Sequence, residues 1–267
     1  MMDGLFALPR EWLSSAGDIG EFVGRVLGEV YGLGVFRFFG EALRQAGMLI
    51  VSSTAVILGL AFFTGLGTCG IEGAYFAEAQ GAATVSGIFA AWCDLREAVP
   101  YAFGYMMAAK VGTGIVAEIG AMRINDEIDA LEVMGIDSVT FLCATRLLAA
   151  WLVLPFMYIA AIGIAYLASY VAVVGQVGYV SSGGYLLVFW QFQNPPDVLF
   201  SLTKGMFMAT AVVLVGCYYG YKASGGPVGV GTATAKSMVL NIVVVNFIGM
   251  LGSEIFWGTH PRAPIGG

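Results

Sequence analysis

Chemistry in this chain, if any, has to come from few residues. Six acids fall within twenty residues from Glu118 to Asp137: Glu118, Asp126, Glu127, Asp129, Glu132 and Asp137. Outside that segment the carboxylates are scattered, and the best candidates for acid–base work, Asp94, Glu97 and Glu118, have no nucleophile beside them in any sensible order. The one histidine, His260, stands in the C-terminal tail. Cys69, Cys93, Cys143 and Cys217 make no metal-ligand spacing. Cys69 and Cys93 could share one side of a membrane, but separate buried, apolar roles are the reading preferred here over a disulfide.

Two glycine-rich stretches imitate nucleotide sites and fail on context. Gly65-Leu-Gly-Thr-Cys-Gly70 has dinucleotide-binding spacing but follows an apolar span instead of a strand. The loop expected over Gly225–Ser237 ends in Ala235-Lys236-Ser237, where a phosphate loop needs Gly directly before Lys. The chain is therefore expected to bind no cofactor of its own.

The elements that must position the acidic segment are apolar. Of 267 residues, 58% are hydrophobic and 11% charged, against roughly a quarter charged in soluble domains. A net charge of −6 gives no reason to expect a nucleic acid partner. The 38 glycines suit membrane helices, where small residues permit close approach. The first twenty residues carry Asp3, Glu11 and Asp18 and do not read as a secretory leader.

Residues 1–45 read as an N-terminal region with an interfacial amphipathic helix, its apolar stripe built from Ile19, Phe22, Val23, Val26, Leu27 and Val30. Gly20, Gly24, Gly28 and Gly32 leave a bare stripe that fits either a lipid-facing surface or close helix packing. The rest, 46–267, reads as a transmembrane domain. A crossing takes about 20 apolar residues, and five stretches qualify: 48–66, 98–120, the 147–174 region, 205–221 and 238–257. The apolar piece 82–92 is too short and reads as a re-entrant or outer-surface helix. Lys and Arg are missing from 47–95 and 147–203, while Arg123, Arg146, Lys222 and Lys236 flank the other loops. The positive-inside rule then puts the N-terminus and the 121–146 and 222–237 loops in the cytoplasm.

As a helix, the acidic segment sets Ile124, Ile128, Leu131 and Met134 on one stripe, with acids over the remaining surface and Gly135 as C-cap. From the residues alone it is either a solvated loop helix or a docking helix for a cationic partner. Lys110, inside the second span, is either a lipid-headgroup contact or a snorkelling side chain. Arg96 and Glu97 are either near the mouth of a lipid path or simple interfacial anchors.

The stretch Glu118-Ile-Gly-Ala-Met-Arg-Ile-Asn-Asp-Glu-Ile-Asp-Ala-Leu-Glu-Val-Met-Gly-Ile-Asp137 resembles the signature of the MlaE/YrbE permease family almost without interruption. The likeness extends over nearly the whole chain and is closest to the B-type YrbE subunits of mycobacterial Mce lipid-import systems. Departures fall at Arg96-Glu97-Ala98-Val99-Pro100, where the family has Arg-Glu-Leu-Gly-Pro, at Ala108-Ala109-Lys110-Val111-Gly112, and at Asp137-Ser138. They fit one member of an unequal pair.

The resemblance implies an all-α integral membrane fold with about five spans and a cytoplasmic coupling helix near 123–135. It implies the permease of an ABC-type lipid transporter in the bacterial inner membrane, moving fatty acids, sterols or phospholipids and making or breaking no bonds itself. The implied partners are a non-identical A-type permease, an ABC ATPase dimer carrying ATP and Mg, and Mce-domain proteins forming an extracytoplasmic tube. Carried over residue by residue, Glu118, Arg123, Asp126, Glu127, Asp129 and Glu132 couple to the ATPase. Leu58, Phe62, Phe63, Arg96, Glu97, Tyr101 and Lys110 lie along the lipid path. The alternative reading is a membrane scaffold that anchors Mce-type proteins without translocating lipid.

Overall fold

A computed structural model describes residues 3–32 and 34–259, with side chains from Gly17 onward; His260 and the rest of the tail lie outside the described residues. Every regular element among them is helical. Helix α1 is Asp3–Tyr31, and the apolar periodicity expected over 18–45 is carried by it: Phe22, Val26 and Val30 are buried. Helical run α2 covers Gly34–Ala79. Run α3 covers 86–124, α4 is Glu127–Val133, and α5 is Thr140–Val177. Helices α6, Ser182–Gln191, and α7, Pro195–Tyr221, precede the last run α8, Gly226–Gly258.

Four of these, α2, α5, α7 and α8, are long and apolar enough to cross a membrane, counted among the described residues. Backbone N–H and C=O groups must be satisfied within the segment in lipid, and helices do this. The expected second crossing, 98–120, is present as an unbroken stretch of α3. It falls short of the other four in apolar character because Lys110, Glu118, Pro100 and several glycines interrupt it.

Three local expectations are corrected. The piece 82–92 is no separate re-entrant helix: from Ser86 it feeds directly into α3, its wide π-helical turns over Ala90–Ala98 letting the chain continue without a break. The glycine-rich loop over 225–237 is mostly helix. Gly225 and Gly226 adopt positive φ and turn the chain, Pro227 opens the first turn, and α8 then runs on. Gly229 is obligatory in that turn, since a Cβ there would lie 1.7 Å from the Ser224 carbonyl oxygen. Finally, Cys69 and Cys93 are joined in a disulfide with their Cα atoms 5.7 Å apart. The 24-residue separation hid this, because the proximity arises only when α2 and α3 pack side by side.

The chain divides into two compact units. The first comprises 1–48, 112–150 and 213–241; the second comprises 49–111, 151–212 and 242–267. The second holds an aromatic core in which Tyr185 and Phe189 stack at 5.9 Å, with Tyr166 edge-on to Phe189 at 4.9 Å and Tyr170 edge-on to Tyr185 at 5.6 Å. Close approach is also visible at Gly205, where a Cβ would sit 2.5 Å from the Tyr158 ring. In a bilayer such packing replaces the hydrophobic drive that water supplies. In the first unit the glycine stripe of α1 stays open: added Cβ atoms at Gly20, Gly24 and Gly28 would meet nothing within 4 Å.

Denatured without reductant, the protein is expected to expose only Cys143 and Cys217 to maleimide, and all four cysteines after reduction. Mass spectrometry of the labelled chain reads the difference, and four labels before reduction would refute the bond.

Candidate functional site

In the first unit, the link between α3 and α5 forms the most distinctive surface. Helix α3 ends at Ile124, and Asp126 turns the chain in the left-handed region at φ 58° before α4 begins. An aspartate tolerates this conformation better than most residues. Ile128 is the anchor, fully buried; of the remaining expected stripe, Ile124 and Leu131 are half-buried and Met134 is exposed. Gly135 closes the helix at φ 77°.

The acids of this segment divide into two groups. Asp129 accepts from Arg123 at 2.7 Å, and Arg123 lies 5.9 Å from the Tyr221 ring. Glu132 accepts from the Ser138 hydroxyl at 2.7 Å and from Tyr221 at 3.2 Å. Glu118 is paired with buried Arg146 at 2.8 Å, so its role is to hold α3 to α5. Asp137 accepts from the Thr140 N–H at 2.8 Å and pairs with Arg25 of α1 at 3.1 Å. Burial pushes the Asp137 carboxyl up, but the Thr140 and Arg25 bonds outweigh it and hold the group below the usual aspartate value. Asp126 and Glu127 are exposed, and neither is in an ion pair among the described residues. Beside them Val133, 89% exposed, and Met134 present bare apolar surface. The result is an anionic and apolar knob standing on a neutralised base.

The second unit holds a charge cluster that the sequence reading saw only in part. Arg96 donates to Asp197 at 2.7 Å, both buried, and its guanidinium lies 4.3 Å from the Trp92 ring and 5.4 Å from Trp257. Lys204, fully buried, donates to Glu97 at 3.0 Å, to the Arg96 carbonyl at 2.8 Å and to Ser253 at 2.7 Å, with the Tyr101 ring 4.9 Å away. Arg96, Glu97 and Tyr101 are thus brought together. Lys204, Asp197 and Ser253 were missed: the crossing expected at 205–221 begins at Pro195 in the structure, which brings both charges into it. Two cations meet two anions here, so that neither sign is left uncompensated out of water.

The other expected path residues are elsewhere. Leu58 lines a cavity of about 410 Å³ between α2 and α5, with Ile50, Thr54, Phe156 and Met157. Phe62 and Phe63 pack edge to face at 5.7 Å, Phe63 being exposed. Lys110 is exposed on α3.

A helical chain with four runs long and apolar enough to cross a membrane among the described residues, and with its buried charges Arg96, Asp197 and Lys204 held in ion pairs, has the make-up of an integral membrane protein. Residues 42–255 match the family described as Permease MlaE, and the chain belongs to that family. A probable ABC transporter permease protein of Rickettsia bellii is 32% identical over 162 residues, 61% of this chain and 62% of the relative. The chain therefore spans about three fifths of the length of the rickettsial relatives it matches. A probable ABC transporter permease protein of Synechocystis is 27% identical over 231 residues, 84% of each chain. The intermembrane phospholipid transport system permease protein MlaE of Haemophilus influenzae is 27% identical over 227 residues, 83% of this chain and 85% of that one.

Asp197→Asn is expected to leave Arg96 buried without its counter-charge and to cost about 3 kcal/mol or more, read as a lower melting temperature in detergent. Arg96→Met/Asp197→Leu, which removes both charges, should recover much of the loss. A second expectation concerns Asp137. Its stabilising contribution is present above the unfolded value of 3.8 and is lost as pH falls through its lower folded value. Asp137→Asn should remove that part of the acid dependence, measured by thermal unfolding from neutral to acid pH.

Proposed function

We propose that this chain is the permease subunit of an ABC-type lipid transporter, and that a separate ATPase docks on α4. The observation that carries the reading is the knob itself. Asp126, Glu127, Val133 and Met134 are free and exposed at the link between α3 and α5, while Asp129, Glu132, Glu118 and Arg123 tie that link to the body of the first unit. A rigidly tied, exposed helix is what a nucleotide-driven partner needs to push on, since force applied to a loose loop would not reach the crossings. ATP and Mg belong to that partner.

The substrate reading rests on the phospholipid transport named for the Haemophilus relative and on an apolar interior. Phospholipids are the leading class, with fatty acids and sterols of the same apolar character. The lipid path would use Leu58, Phe62, Phe63, Arg96, Glu97, Tyr101 and Lys110, the Arg96–Lys204 cluster setting its polar end. The remaining partners would be a second, non-identical permease and Mce-domain proteins on the far side.

The protein would sit in the bacterial inner membrane with its N-terminus in the cytoplasm. Two independent features support that orientation. Basic residues concentrate around the 121–146 and 222–237 segments. The Cys69–Cys93 bond, in the 47–95 stretch that lacks Lys and Arg, belongs in an oxidising compartment.

Glu127→Lys/Val133→Asp is expected to abolish co-purification of the ATPase in mild detergent while leaving the permease folded. Retention of the ATPase by this variant would place the docking surface elsewhere. Absence of an ATPase from the wild-type preparation would sink the transporter reading.

A further inference from the structure

The second unit contains a carboxyl group that neither the charge cluster nor the docking helix uses. Asp94 lies in the π-helical turns of α3, outside the four crossing helices, and its side chain has no exposed surface. Its Oδ2 is 2.5 Å from Ser169 Oγ of α5, and its Oδ1 has no partner. None of the ion pairs among the described residues includes it. Arg96, two residues on, is turned to Asp197, and Glu97 to Lys204. The titratable groups facing Asp94 from neighbouring helices are tyrosines: Tyr166 of α5, bonded to Gln193, and Tyr185 of α6, whose hydroxyl is buried without a partner. Glu72, on the adjoining part of α2, is exposed.

Hydrogen counting limits the states open to this group. Ser169 Oγ also lies 2.8 Å from the carbonyl oxygen of Gly65 in α2. A serine hydroxyl has one hydrogen to give. If it goes to Gly65, the contact with Asp94 is a hydrogen bond only when the carboxyl supplies a hydrogen of its own. If it goes to Asp94 as a carboxylate, a bare anion remains among Ala90, Ala91 and the aromatic core with one bond and no counter-charge, the costliest arrangement available to a buried group.

We infer that Asp94 is a proton-binding site: its carboxyl is a neutral acid that donates to Ser169 Oγ, Ser169 donates on to the Gly65 carbonyl, and this relay holds α2, α3 and α5 together. The three backbones concerned all carry π-helical turns here, Gly65–Glu72, Ala90–Ala98 and Val171–Val177, a geometry common where helices are built to adjust. The neighbouring Cys69–Cys93 bond fixes α2 to α3, so the join that a lost proton would loosen is the one to α5. For an acid held protonated by the fold, the stabilisation is complete at low pH and is lost as pH rises through the folded value.

The test uses the full chain reconstituted in phospholipid nanodiscs. The infrared difference spectrum between wild type and Asp94→Asn should contain the C=O band of a neutral carboxylic acid at neutral pH. That band should shift in D2O and vanish on raising the pH. The melting temperature of the wild type should fall over the same pH range, while that of Asp94→Asn, which cannot ionise, stays flat. A difference spectrum with carboxylate bands alone at neutral pH would overturn the proposal. So would an Asn variant less stable than wild type by the same amount at every pH. If Asp94→Asn does not assemble, Ser169→Ala replaces it: a shift of the same acid band on loss of its acceptor supports the relay, and an unmoved or missing band refutes it.

Discussion

The constraint on which everything else in this chain depends is that a charge withdrawn from water must meet its opposite within the fold. The solvent around most of these helices cannot do that work, and a carboxylate or guanidinium left alone in it would reorganise the structure or neutralise itself. Arg96 with Asp197, Lys204 with Glu97, and Arg146 with Glu118 each answer the requirement with an ion pair at 2.7–3.0 Å. Each pair joins helices distant in sequence, so the rule that governs single side chains also fixes which helices are neighbours. Asp94 answers the same requirement in the other available way, by keeping its proton.

The same economy explains why the acidic segment looks as it does. Six acids so close together would repel one another and fray a helix. Four of them are consumed locally, by Arg123, Ser138 and Tyr221, Arg146, and the Arg25–Thr140 pair. What remains outward is a small negative charge on a well-anchored element. An exposed valine and methionine beside it would be a liability on a free surface and are natural on one that is covered in an assembly.

Much of the architecture was legible in the residues. Runs of apolar side chains longer than a bilayer is thick admit few readings, and the helical periodicity of Phe22, Val26 and Val30 survived intact in α1. The short helix of the acidic segment was legible because local spacing carries it, with Ile128 buried beneath it. What was not legible depended on contacts between distant parts of the chain. Nothing near Cys69 announces Cys93, and nothing near Asp197 announces Arg96, because pairing is decided by helix packing. The glycines of 225–231 misled for a different reason. Glycine is read as loop by default, yet most of these serve a helix that starts tightly against the preceding turn. Tyr101, expected beside Leu58, Phe62 and Phe63, lies instead with Arg96 and Glu97 around Lys204, while Leu58 lines a separate cavity and Lys110 is exposed.

The disulfide between the first two long helical runs also has a mechanical meaning. It converts that end of α2 and α3 into a single covalent hairpin, with the chain between the two cysteines closed into a ring. Within such a hairpin the two joined helical segments cannot part at that end. Any widening near that end has to be borne by non-covalent seams, and a reducing environment would turn a stapled pair of helices into two that can separate.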